Sequence, residues 1–168
     1  MLLLERYIEL YGLKAEQKQL VADLQDIVNH KVLGSRSSAA HWHLAMKKNT
    51  DGGETIGEFT LPNDHCRKFI ENFDLITDLC VPDNQLRRDS WNACVSTWVS
   101  LITLAQQKND LTDSEIEELQ DFCDDFFLQW LDLHGRDGIT NYIHLIGSGH
   151  LIYYVCQWRN LYKYSQQG

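Results

Sequence analysis

The side chains in this sequence with the chemistry to bind or react are a few histidines, five cysteines and two contrasting segments, one acidic and one aromatic. His144 and His150 stand near the C-terminus, on either side of Gly147-Ser148-Gly149. Imidazoles favour zinc, and two of them supply half of a tetrahedral site. On an unbroken helix, positions i and i+6 do not share a face, so convergence of this pair requires a break, which the Gly-Ser-Gly can supply. His41 and His43 share a face if they lie on a strand, and His65-Cys66 adds two further donors. The structural alternative is that these histidines only satisfy local hydrogen bonds.

Between Asp110 and Asp132 there are nine acids and no Lys or Arg. Two readings compete: a basic partner or a divalent cation at Asp124-Asp125, and a solvated helix face opposite an apolar stripe. Adjacent carboxylates on a helix diverge, and acids suit the positive N-terminal end, so the solvated face is the expectation. From Ile139 onward the balance reverses. No acid occurs there, only Arg159 and Lys163 as cations, with six aromatics. Trp158, Arg159, Tyr162 and Lys163 form the candidate contact set, since aromatic faces interleaved with cations can stack bases or grip a backbone. The competing reading packs these rings into a core.

The elements that would position these groups are helices. Ala15 to Val32 carries Leu20, Val21, Leu24, Ile27 and Val28 at three- and four-residue spacing. Patterning resumes at Asn63 through Phe69, Ile70 and Phe73. Asp83 to Lys108 then reads as a long helix, with Leu86, Trp91, Cys94, Val95, Trp98, Leu101, Ile102 and Ala105 as its apolar face. Thr112-Asp113-Ser114-Glu115 has the spacing of a capping box. It opens a helix with Ile116, Leu119, Phe122, Cys123, Phe126, Phe127 and Trp130 inward, ending near His134-Gly135. Ile139 to Tyr164 reads as helical on either side of its glycines. Between residues 41 and 61, two alternating runs flank Asn49-Thr50-Asp51-Gly52-Gly53, the pattern of a short β-hairpin. The expected fold is therefore mainly α, an antiparallel helix bundle with a short hairpin at 41–61, forming one domain over 1–168 with a sub-boundary near 34–62.

The chain has 168 residues, 43% of them hydrophobic, with a net charge of −9, which excludes disordered classes and a polybasic coat for nucleic acid. The nine acids between Asp110 and Asp132 equal that whole net charge. No run reaches the ~20 apolar residues of a membrane helix, and the first residues lack the features of a signal peptide. An intracellular protein with no membrane association is expected. Its cysteines (Cys66, Cys80, Cys94, Cys123, Cys156) are odd in number, contain no CxxC pair, and are expected as reduced thiols.

One longer pattern stands out: Gly135-Arg136, Ile139-Thr140-Asn141-Tyr142-Ile143-His144, His150, Asn160-Leu161 and Tyr164-Ser165-Gln166-Gln167-Gly168. It resembles the C-terminal end of uncharacterised, transposon-derived animal proteins, themselves distantly similar to RNase H-like (DDE-type) cut-and-paste transposases and to the V(D)J recombinase. The resemblance covers roughly the last 60 residues. Such enzymes hold two divalent metals on three carboxylates and attack phosphate in line. Their third carboxylate follows the S-x-Q-G element, and this chain stops at Gly168. No catalytic residue is therefore assigned, and the resemblance implies the helical insertion that lies beside a nuclease core, without cleavage of its own.

The resemblance further implies a zinc held by His144 and His150. This pair is spaced one residue wider than in those relatives and lacks their cysteine pair, so Cys66 or His65 would have to complete the set. It implies DNA reached through a linked or separate nuclease core, protein partners, and a nuclear place of action. The leading expectation is a non-catalytic scaffold or protein/DNA contact domain. The alternatives are a subunit of a metal-dependent nuclease or transposase completed by another chain, and a plain helical interaction module.

Overall fold

The computed structural model describes residues 17–34, 46–48, 54–56, 63–81 and 84–162. Helices dominate: α1 (Gln17–Asp26), α2 (Asn63–Glu71), α3 (Phe73–Cys80), α4 (Gln85–Ala105), α5 (Asp113–His134), α6 (Asn141–Gly147) and α7 (His150–Trp158). None of these is long and apolar enough to cross a membrane. The only strands among the described residues are β1 (Met46–Lys48) and β2 (Glu54–Ile56), which pair antiparallel with Met46 opposite Ile56 and Lys48 opposite Glu54. Each covers three residues of the alternating runs at 41–61, and the rest of those runs lies outside the described residues. His41 and His43, and the apolar segment at 2–11, lie outside the described residues.

The chain divides into two compact units, Met1–Arg88 and Asp89–Gly168. The division falls inside α4, whereas composition places a sub-boundary near 34–62. A helix carries no glycine- or serine-rich signal where its neighbours change, so such a boundary leaves no mark in composition.

In the first unit, α1 continues into a wider π turn over Ile27–Val32, closed by the Leu33 amide donating to the Val28 carbonyl at 2.8 Å. Val21, Leu24, Val28 and Val32 are buried on one side of this segment, as their spacing requires. Helix α1 packs against α3, which buries Ile76, Thr77 and Cys80. Asn72 separates α2 from α3. Its side-chain amide donates to the Lys68 carbonyl at 2.8 Å. By local bonds of this kind asparagine competes with helix continuation. Arg88 donates to the Val81 carbonyl at 2.6 Å and lies 3.5 Å from Asp78, tying the entry of α4 to the end of α3.

In the second unit, α4 and α5 meet through rings. Trp91 contacts His134 edge-on at 5.1 Å, and Trp98 contacts Phe126 at 5.1 Å. Rising numbers on one helix thus meet falling numbers on the other, so this pair runs antiparallel. Phe126, Trp130 and His134 continue the contact along α5 at 5.8 and 4.2 Å. Trp130 donates its indole N–H to the Gly138 carbonyl at 2.9 Å. That bond satisfies a polar atom this cluster would otherwise bury. The capping box forms as its spacing predicts. Thr112 N–H donates to the Glu115 carboxylate at 2.7 Å, and Glu115 N–H to the Thr112 hydroxyl at 3.3 Å. Leu86 departs from its expected inward position and is 79% exposed, because it sits on the first turn of α4. Leu104 is buried instead, continuing the line of Cys94 and Leu101.

Candidate functional site

The second unit carries the chemistry. Helix α6 starts at Thr140, whose hydroxyl accepts from the Ile143 amide, and stops after Gly147. A Cβ on Gly147 would collide with the Phe127 ring, so only glycine lets α6 lie this close to α5. Gly149 has φ 76°, and α7 leaves in a new direction from there. That is the left-handed region open to glycine. The break brings His144 and His150 together, with ring centroids 5.9 Å apart and both side chains exposed. Ser148 closes the end of α6 by donating its hydroxyl to the His144 carbonyl at 2.6 Å.

Two imidazoles are half of a tetrahedral zinc site, and the other half is wanting. Among the described residues no group of three or more His, Cys, Asp or Glu side chains converges to hold a metal ion. Cys66, the sequence-derived third donor, lies on α2 in the first unit, half-buried. Among the described residues of the second unit, the donor set falls short of a structural zinc. All five cysteines are free thiols. Burial pushes the thiols of Cys80, Cys94 and Cys123 up to about 12, so they stay protonated and inert. Cys156 is exposed on α7.

Helix α7 and the residues around it leave several large aromatics in solvent. Tyr142 is 80% exposed, Tyr153 58%, Trp158 56% and Tyr154 43%. Val155 and Asn160, in the same segment, are buried. The sequence-derived contact set divides here. Trp158 and Tyr162 are exposed as that set requires. Arg159, at φ 57°, ends α7; its carbonyl accepts from the Leu111 amide at 2.8 Å, and its guanidinium bonds Asp113. Arg159 is thus engaged within the fold. Lys163 lies outside the described residues.

The second unit also holds a groove of about 670 Å³. Leu101, Ile102 and Ala105 of α4 form one wall, and Leu145 and Ile146 of α6 another. Lys108 is the only charged residue among the described lining, its ammonium 6.0 Å over the Tyr162 ring. Sequence reasoning missed Lys108, because nothing in Gln106-Gln107-Lys108 marks it. Its place is set by Asn160, far along the chain, whose side-chain amide donates to the Lys108 carbonyl at 2.9 Å.

The acids of α5 and its approach, from Asp110 to Asp132, are exposed except for half-buried Glu115. They form the solvated face expected of them. No family model, curated protein or solved structure matches the chain.

Proposed function

We propose that the chain is a non-catalytic helical domain that works by contact, touching protein or DNA beside a nuclease core, in an antiparallel bundle of transposon origin. The observation that carries this reading is a set of exposed aromatics. Tyr142 of α6 and Tyr153, Tyr154 and Trp158 of α7 are all exposed, on two successive short helices. Exposed large apolar side chains concentrated in one segment point to an interaction site. The absence of acids from 139 to 168 keeps the face open to a negatively charged partner. The resemblance of Thr140–His144 and Ser165–Gly168 to transposon-derived proteins supports the origin.

With so few cations on the face, binding to DNA rests on stacking, and its dependence on salt is shallow. The test is a retardation assay with a labelled single-stranded oligonucleotide in Mg²⁺ or Mn²⁺. The expected result is a retarded, uncut oligonucleotide, with retardation lost in a Tyr154→Ala, Trp158→Ala double variant. Cleavage that survives repurification would overturn the non-catalytic reading. Absence of retardation would remove DNA and leave protein as the partner.

A further inference from the structure

We propose that the groove between α4 and α6 is a binding site for a long-chain carboxylate, of the fatty-acid class. Its volume is about 670 Å³. Small-molecule clefts typically span roughly 300–1,000 Å³. Its walls are mainly aliphatic, through Leu101, Ile102, Leu145, Ile146 and Leu161, which suits a methylene chain better than a planar base.

The charge in the groove lining is specific in sign and number. Lys108 is the single charge among the described lining, and it stands in no ion pair among the described residues. An ammonium held over an aromatic ring still has N–H donors to offer a carboxylate. One cation matches one negative charge; a di- or triphosphate would require more donors than this lining supplies. Lys108 is also held in place from outside the groove. Asn160 bonds its carbonyl, and Leu111, a little further along, donates to the Arg159 carbonyl. Of the nearby acids, Asp113 is bonded by Arg159, exposed Asp110 stands two residues from Lys108, and the chain from 139 to 168 contributes none. Within the groove lining the head of the ligand therefore meets one cation and no acid, and its chain covers apolar surface that now faces water.

The groove shares Tyr142 with the exposed aromatics but none of the α7 rings, so the Tyr154→Ala, Trp158→Ala variant leaves its lining intact and the two proposals fail separately. Isothermal titration of the full chain with dodecanoate, below its micelle concentration, tests it. Saturable binding of one molecule per chain is expected, about tenfold tighter than dodecyltrimethylammonium, which has the same chain and the opposite charge. Shortening the acid weakens binding by roughly two- to fourfold per methylene removed. Lys108→Glu, on an exposed side chain, lowers dodecanoate affinity about tenfold or more, and Leu145→Asp abolishes binding. Equal affinity for both head groups, no effect of Lys108→Glu, or no saturable binding would each overturn the proposal. A concentration-dependent dimer in sedimentation that dodecanoate fails to dissociate would assign the groove to a second copy of the chain instead.

Discussion

At the scale of single residues, titration and capping give sharp tests. Cys80, Cys94 and Cys123 have thiols raised by burial from about 9 to about 12. Above pH 9 the unfolded chain sheds protons that the folded chain keeps. The stability these thiols lend is complete below about pH 9 and is lost as pH rises toward about 12. Urea midpoints should fall between about pH 8.5 and 10.5, with a shallower slope in Cys94→Ala; an unchanged slope would remove the thiols from the cause. Iodoacetamide should label Cys156 rapidly in the native chain, and the three buried thiols only after unfolding.

Glu115 shifts the other way. The Thr112 backbone N–H and then its hydroxyl hold the Glu115 carboxyl below its ordinary value, so the box weakens as pH falls through that lowered pKa. Thr112→Ala should cost about 1 kcal/mol in chemical denaturation. Arg159 belongs to the same level. Its guanidinium is engaged by Asp113. Arg159→Ala should therefore lower stability modestly, by roughly 0–1 kcal/mol, while leaving oligonucleotide retardation unchanged.

At the scale of elements, the break between α6 and α7 does most to shape the second unit. Gly147→Ala drives a methyl group into the Phe127 ring. It should destabilise by about 1–3 kcal/mol, read as a lower midpoint in thermal or urea unfolding. The same break pairs His144 with His150, a proximity that six-residue spacing on one helix would forbid. The pair lacks further donors among the described residues. Zinc content after purification without added metal should therefore fall well short of one per chain, and a chelator should leave the unfolding midpoint unchanged. A stoichiometric zinc lost in His144→Ala would contradict this reading.

The capping box and the apolar stripe of α5 were legible in the sequence, because both depend on spacings within one helix. The position of Leu86 was not. Its spacing fits the α4 stripe, but the first turn of α4 leaves it in solvent.

At the scale of the whole molecule, charge and hydrophobicity are distributed by element. The net charge of −9 equals the acids between Asp110 and Asp132, while the segment from 139 to 168 is acid-free, weakly cationic and aromatic. A low overall charge thus excludes a polybasic coat without excluding a local contact with an anion.

By itself the sequence determined the helical class, the ends of α5, the solvated acidic face and the free thiols. Each follows from periodicity, local hydrogen bonds or composition, which act over a few residues. The tertiary structure alone decided which distant groups meet. It joined His144 to His150 across a glycine turn, drew Arg159 back to Asp113, and brought Lys108, whose carbonyl Asn160 bonds, into the lining of an apolar groove. It also divided the chain within α4. The Arg159 and Asn160 contacts span 46 and 52 residues, back to Asp113 at the start of α5 and to Lys108 before it. They rest on packing between elements far apart in the chain, and no pattern of neighbouring side chains encodes such distances.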